Sequence, residues 1–309
     1  MNPLVIIAGP TAIGKTAVSI ELAKRIDGCV ISADSAQVYK GMDIGTAKIR
    51  PEEMSGIKHY LIDILNPCED FNIAAFKSLA KSAADEIRSM QKIPIVVGGT
   101  GFYIQSLLYD IDFSEADEMT EYRKKLELLV KEKGAGFIHD MLESVDPAAA
   151  KSIHQNDTRR VIRALEYNAQ TGGLISDHNR KSREKSSPYD FCYFVITDDR
   201  EAIYERIDKR VDEMIAAGLT DEVAALKAKG LGMNNVSMHA LGYKEILAYL
   251  DGECTLQEAI YRIKRDSRHF AKRQLTWFKR TRDVIWIDRR NEEDIAGRME
   301  QELKARGII

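Results

Sequence analysis

Short apolar runs alternate with amphipathic stretches through the first hundred residues of the chain. The run at 4–8 is rich in β-branched side chains and predicts a buried parallel strand. Residues 17–26 carry on as a helix, with Gly28 placed to end it. Further strands are predicted at 29–33, 60–65 and 93–97. Between the last two, Ile73, Phe76, Leu79, Ala80, Ala83 and Ile87 recur at the spacing of one helix face over 72–90, and Asp70 is placed to help cap that helix. Strands and helices in alternation predict an α/β fold, a right-handed parallel sheet of the nucleotide-kinase type flanked by helices.

The pattern changes after about residue 112. Helices are predicted at 122–131 and 158–171, the second capped by Asp157 and closed by Gly172 and Gly173, and no strand is predicted before 188. The segment 176–187 is polar, basic and aperiodic, which predicts a mobile loop. A strand returns at 191–196, followed by a helix at 199–217 with Ile203, Ile207, Val211 and Met214 on its buried face. The last third reads as mostly helical, with a strand at 284–287 and a final helix. A helical block bracketed by sheet strands is an insertion, so the expected division is a core domain of 1–111 and 189–309 and a helical insertion of 112–188.

The first strand runs into Gly9-Pro10-Thr11-Ala12-Ile13-Gly14-Lys15-Thr16, which matches G-x-x-x-x-G-K-[ST] in the strand–loop–helix setting that motif requires. Glycines let the backbone curl so that successive N–H groups point at an anion, the helix N-terminus adds partial positive charge and Lys15 a full one. Thr16 offers a hydroxyl to Mg²⁺. The site grips a phosphate or diphosphate, as in nucleotide- and ATP-binding proteins, but the loop alone does not say whose. Asp34 ends the second strand at the same edge of the sheet. It reads either as a carboxylate working beside the phosphates or as an Asx-turn closing the strand. Arg206 and Arg210, one helical turn apart, can reach a diphosphate or pair with Glu205, Asp208 or Asp212.

Composition narrows the partners. The four cysteines are scattered, with no C-x-x-C pair, so neither a zinc site nor a disulfide framework is expected and a reducing, cytoplasmic setting fits. No apolar run is long enough to span a membrane, and the six histidines show no metal-ligand spacing. The net charge of −3 hides an uneven distribution: from Arg262 to Arg282 nine Lys or Arg face one acid, Asp266. Lys264, Arg268 and Lys272 repeat every four residues and are expected to repel one another on one helix face, with Arg273, Trp277 and Phe278 following. Basic stripes with aromatics point to a phosphate-rich partner such as RNA; the alternative is that the aromatics are core and the charges solvate the surface. Arg159, Arg160 and Arg163 form a second basic face in the insertion.

These residues resemble one family throughout their length. GPTAIGKT at 9–16, ISADSAQVYKGMDIGTAK at 31–48, HYLID at 59–63, VGGTGFYI at 97–104, NDTRRVIRALE at 156–166, LGYKEI at 241–246 and AKRQLTWF at 271–278 are similar to bacterial tRNA dimethylallyltransferases, or isopentenyl-diphosphate:tRNA transferases. The resemblance implies transfer of a dimethylallyl group to N6 of the adenosine 3′-adjacent to the anticodon. It implies that the phosphate loop, Gly9 to Thr16, holds dimethylallyl diphosphate, with Asp34 as general base, Thr16 as Mg²⁺ partner and Arg206 or Arg210 as diphosphate clamp. It implies tRNA contacts at Asp34, Ser35, Ala36, Gln37, Thr100, Arg123 and Arg159, Arg160, Val161, Ile162 and Arg163, to which the basic stripe adds Lys272 and Arg273. The expected partners are the tRNA anticodon stem-loop and dimethylallyl diphosphate, with the enzyme a monomer. A P-loop small-molecule kinase and a non-catalytic NTP-dependent tRNA-binding switch are the competing classes.

Overall fold

The computed structural model describes residues 2–111 and 121–309. Its elements in chain order are β1 (Pro3–Ala8), α1 (Lys15–Arg25), β2 (Gly28–Ser32), β3 (His59–Tyr60), α2 (Ile73–Ser89), β4 (Ile93–Gly98) and α3 (Gly101–Leu108). There follow α4 (Glu121–Val145), α5 (Pro147–Ser152), α6 (Thr158–Thr171) and α7 (Ile175–Glu184). The chain ends with β5 (Asp190–Thr197), α8 (Arg200–Ala216), α9 (Leu219–Ala228), α10 (Tyr243–Leu250), α11 (Leu256–Phe278), β6 (Val284–Asp288) and α12 (Ile295–Ala305), with a 3₁₀ turn at Val236–His239 before α10. The chain divides into two compact units, Met1–Leu108 with Pro188–Ile309, and Tyr109–Ser187. The expected boundary at 112 lies outside the described residues.

The first unit is built on a parallel sheet in the order β3-β2-β4-β1-β5-β6. Its central strands are apolar on both faces, with Leu4, Val5, Ile6 and Ile7 at most 1% exposed, as a parallel sheet covered on both sides requires. On one face Val5, Ile7, Ile95, Phe194 and Ile196 pack with Leu22 of α1, Ile203 and Ile207 of α8, and Met299 and Leu303 of α12. α2 packs against β2, β4 and α3, with Phe76 stacked on Tyr103 at 4.5 Å. From β1 the chain crosses to β2 on one side, whereas β5 lies on the other side of β1. The strand order therefore reverses at β1, and the crevice beyond its carboxyl end is where a ligand fits this sheet.

Three local expectations are corrected. The strand predicted at 60–65 is only His59–Tyr60, because Leu61 and Asp63 turn into positive φ and the chain touches the sheet region again through a lone bridge from Leu65 to Tyr39. Asn72, not Asp70, caps α2, its side chain accepting from Ala75 N at 2.9 Å. The segment predicted as a mobile loop at 176–187 forms α7 as far as Glu184.

The second unit is helical among its described residues. α4 is broken at Gly134 (φ 84, ψ 170), so the predicted helix at 122–131 is the first arm of a longer pair. Leu126, Ile138, Leu142, Ala149, Val161 and Leu165 form its core, with Ile175 packed against them. α7 is tied in through its first turn: buried Asp146 caps α5 through Ala149 N and also accepts from Ser176 N, each at 3.0 Å. Tertiary anchoring of one end thus makes a helix of a polar sequence that lacks an apolar face.

Candidate active site

The phosphate loop occupies the crevice end of β1. Gly9 has φ +149 and a side chain there would lie 2.6 Å from the Ile196 carbonyl of β5, so glycine is required by both conformation and space. Ala12 sits at φ 61, a left-handed conformation that costs about 1 kcal/mol for a non-glycine residue and needs outside support. Three side chains far along the chain supply it. Arg206 Nε donates to Ala12 O at 3.2 Å, Arg289 donates to Ile13 O at 2.9 Å, and Gln274 Oε1 accepts from Thr11 N at 2.9 Å. Gln274 also donates to Gly99 O at 3.0 Å, joining the loop after β1 to the loop after β4.

Lys15, Asp34 and Arg210 converge beside this loop. The Lys15 ammonium folds onto Gly9 O and Pro10 O at 3.1 and 2.8 Å. Burial pushes it down to about 8, the charge of Arg210 pushes the same way, and the Asp34 carboxylate opposes them. Burial also pushes the Arg210 guanidinium down, against the charge of Glu213. Two cations held this close repel each other, and the Asp34 carboxylate offsets part of that repulsion at Lys15. Tyr103 is pushed up to about 12 by burial and by the nearby charges of Tyr39 and Asp34.

Asp34 closes its strand with an Asx-turn. Its Oδ1 accepts from Ala36 N at 2.9 Å and Gln37 N at 3.3 Å, an Asx-turn, while Oδ2 has no hydrogen-bond partner among the described residues. The turn fixes the orientation of the carboxylate. Thr16 is exposed and its hydroxyl is likewise unengaged among the described residues, next to Lys15 at the start of α1. No group of three or more His, Cys, Asp or Glu is placed to hold a metal among the described residues. One hydroxyl fits an ion of the Mg²⁺ type, which keeps waters and takes most of its ligands from substrate phosphates.

The two clamp candidates differ in their protein partners. Arg206 is ion-paired with buried Asp198 at 2.7 Å and bonded to Ala12 O, so it braces the loop from behind. The anticipated partners Glu205, Asp208 and Asp212 are not the ones it uses. Arg210 has neither hydrogen bond nor ion pair among the described residues.

The residues expected to meet RNA fall into two groups. Ser35 is exposed and Ala36 and Thr100 are half-buried at the crevice loops. Gln37 is committed internally, donating to Thr46 O and accepting from Ser32 Oγ, both at 3.2 Å. In the helical unit Arg159 and Arg160 are exposed, Arg160 lying 3.6 Å from Asp157, and Arg163 is half-buried. Val161 and Ile162 are corrections: both are buried in that unit's core, because a helix face adjacent to the arginines must pack inward. Arg123 is held by buried Glu166 through Nε at 2.9 Å and through a second guanidinium nitrogen, a structural ion pair.

The basic stripe of α11 is corrected as well. Lys264 pairs with Asp212 at 2.7 Å and Arg268 with both oxygens of Asp208 at 2.5 and 2.7 Å, so acids of α8 remove the expected repulsion. Farther along, Lys272, Arg273 and Arg280 have no acidic partner among the described residues. With His269, Thr276 and Trp277 they line a groove of about 390 Å³. Phe278 is core at 0% exposure, whereas Trp277 is half-buried, set edge-on to exposed Phe102 at 5.9 Å. Of the two aromatics, Phe278 is thus core and Trp277 borders the groove.

Gln274, Arg289 and Asp198 were not legible as site residues. Gln274 left a trace, a polar residue on the face that Ala271 and Phe278 bury. Arg289 and Asp198 follow the carboxyl ends of β6 and β5, a position shared with Asp34.

The chain is similar to known proteins over nearly its whole length. A family model described as IPP transferase matches residues 37–281. The chain is 57% identical over 304 residues to the tRNA dimethylallyltransferase of Lachnoclostridium phytofermentans, covering 98% of this chain and 97% of that protein. It is 51% identical over 289 residues to the tRNA dimethylallyltransferase of Acetivibrio thermocellus, covering 94% and 92%. The crystal structure of a full-length tRNA isopentenylpyrophosphate transferase from Bacillus halodurans superposes with a TM-score of 0.74 at 43% identity, covering 99% of this chain and 98% of that one. A eukaryotic dimethylallyltransferase acting on tRNA gives a TM-score of 0.81 at 29% identity, covering 96% and 77%. This chain belongs to the IPP transferase family.

Proposed function

We propose that this protein transfers a dimethylallyl group from dimethylallyl diphosphate to N6 of the adenosine 3′-adjacent to the anticodon in tRNAs. The observation that carries the reading is the meeting in one crevice of a phosphate loop, an arginine with no partner among the described residues and a carboxylate with one oxygen unbonded among them, in a chain whose relatives bear the name of this activity. Adenine N6 is a weak nucleophile because its lone pair is delocalised into the ring. As N6 bonds to the allylic carbon, the carbon–oxygen bond to diphosphate breaks and its electron pair leaves with the diphosphate. Asp34 Oδ2 takes the N6 proton, the task of a general base whose other oxygen is fixed by a turn. Lys15, the loop N–H groups and Arg210 stabilise the charge growing on the diphosphate. The Thr16 hydroxyl would hold Mg²⁺, which when bound supplies further positive charge at the diphosphate.

The target base must leave its stack to enter such a crevice, so the tRNA needs an extended grip on its backbone. Lys272, Arg273 and Arg280 offer phosphate contacts along one groove, with Trp277 as an aromatic face for an unstacked base. Arg159, Arg160 and Arg163 offer further phosphate contacts on the helical unit. No helix among the described residues is long and apolar enough to cross a membrane. The reading places the enzyme with its tRNA substrate in the cytoplasm, working as a monomer.

The test is incubation with radiolabelled dimethylallyl diphosphate and unmodified tRNA, followed by nucleoside analysis. Label in N6-isopentenyladenosine is expected. Unlabelled tRNA, with ATP binding tighter than dimethylallyl diphosphate and its terminal phosphoryl passing to a small acceptor, would replace the transferase by a kinase.

A further inference from the structure

Beyond Asp34 lies a loop, 43–48, that is fastened by a residue far along the chain. Glu222 of α9 accepts with Oε2 from Asp43 N at 2.9 Å and Ile44 N at 2.8 Å. Its Oε1 accepts from Gly45 N at 3.2 Å and from the Tyr243 hydroxyl at 2.5 Å. Three consecutive backbone N–H groups therefore close around one carboxylate, an arrangement that fixes the direction of the loop as well as its position. Tyr243 of α10 is fully buried, and a side chain at position 45 would lie 2.4 Å from its ring, so Gly45 is what admits it. Burial and the Glu222 carboxylate push the Tyr243 phenol up, keeping it a donor.

The loop hands this order on. Carbonyls of Thr46 and Ala47 accept from Gln37 Nε2 at 3.2 and 3.4 Å. Gln37 Oε1 accepts from Ser32 Oγ, and Gln37 N is one of the two donors that hold Asp34 Oδ1. Hydrogen bonds, joined by short covalent stretches of the loop and of Gln37, thus lead from Glu222 to the Asp34 carboxylate. The far end of the loop has its own anchor, since Lys48 Nζ bonds Tyr39 O and pairs with Asp43 and Asp63. Lys48 thus shares with Glu222 the holding of the loop. The distinct contribution of Glu222, which grips three consecutive backbone N–H groups, is orientation.

We infer that Glu222, supported by Tyr243, is a positioning residue that sets the orientation of Asp34 for proton removal. The inference rests on the proposed function, in which Asp34 is the base. A displacement of about 1 Å at a reacting group can lower a rate on the order of 10²-fold. At saturating diphosphate and tRNA, Glu222→Gln should lower kcat about 10- to 100-fold while KM for both substrates stays within about threefold. Tyr243→Phe, which removes one donor and no charge, should lower kcat in the same direction by less. The decisive measurement is the double variant. Adding Glu222→Gln to Asp34→Asn should cause no further loss, because the group being positioned is already disabled. Transfer by the wild type with kcat unchanged in both Glu222→Gln and Tyr243→Phe would overturn this inference alone. So would a further loss of full size on the Asp34→Asn background, or a rise in KM with kcat intact. Should Glu222→Gln fail to fold, Tyr243→Phe combined with Asp34→Asn decides by the same criterion. Absence of transfer by the wild type would instead remove the function and this inference together.

Discussion

The two halves of α11 use their cations differently. In the first half Lys264 and Arg268 face α8 and are neutralised by Asp212 and Asp208. In the second half Lys272, Arg273 and, just past the helix, Arg280 meet no acid among the described residues and border a groove beside Trp277. The same contrast recurs one turn apart on α8, where Arg206 is taken by Asp198 and Arg210 is left without a partner among the described residues. It recurs in the helical unit, where Arg123 is taken by Glu166 and Arg159 lies exposed. A cation's type and spacing therefore do not tell whether the fold gives it an acidic partner. What tells is whether the opposing element brings a carboxylate.

The sharpest way to break this comparison is on α8. Arg210→Ala should lower the transfer rate about 10²- to 10³-fold, the loss typical of one group stabilising transition-state charge, with little change in melting temperature. Arg206→Ala should do the reverse in emphasis. It strands Asp198, only 7% exposed, at a cost of about 2–3 kcal/mol, a figure reduced from the fully buried case because Arg206 keeps 33% of its side chain in solvent. Denaturant melts and steady-state kinetics on both variants check the pair. Equal kinetic losses would erase the distinction.

The groove offers the next largest effect. Replacing Lys272, Arg273 and Arg280 together by Ala should weaken tRNA binding on the order of 10- to 100-fold. It should also flatten the dependence of log affinity on log salt by up to about 0.7–0.9 for each phosphate no longer neutralised. Diphosphate binding should persist, since the phosphate loop is untouched.

A smaller effect distinguishes Lys15 from the arginines through pH. Its free-state value is lowered to about 8 by burial and by Arg210, so it is charged below that pH and neutral above it. A bound diphosphate favours the charged form and raises the value. Binding therefore takes up a proton near and above pH 8, and affinity for dimethylallyl diphosphate should fall as pH rises through about 8, by at most about tenfold per pH unit. Calorimetry in buffers of different ionisation enthalpy reads the proton directly. Binding without proton uptake at about pH 8.5 would mean that Lys15 is already charged in the empty loop.

The smallest effect is on the neutralised half of α11. Lys264→Ala and Arg268→Ala should leave tRNA affinity within about twofold and lower stability by roughly 0.5–1 kcal/mol each, as half-exposed ion pairs do. A tRNA defect as large as that of the groove variant would show that pairing with α8 does not withdraw these cations from the ligand.

Much of this molecule is determined by local sequence. The phosphate loop, the alternation that builds a parallel sheet, and the place of Asp34 at a strand's carboxyl end are all consequences of spacing and residue type within about twenty positions. Caps such as Asp157 on α6 belong to the same class. Other features depend on which elements pack together, and these were decided only in three dimensions. Gln274 reaches Thr11 across 263 residues, Arg289 reaches Ile13 across 276, and Glu222 reaches the 43–45 backbone across about 180. α7 is a helix because Asp146, thirty residues earlier, holds its first turn. Periodicity records which face of a helix is apolar, since burial acts on each residue one at a time. It does not record which carboxylate will stand opposite a given arginine, since that depends on the register of two packed elements, and in this crevice that register gives Arg206 to Asp198 and the loop and leaves Arg210 without a partner among the described residues.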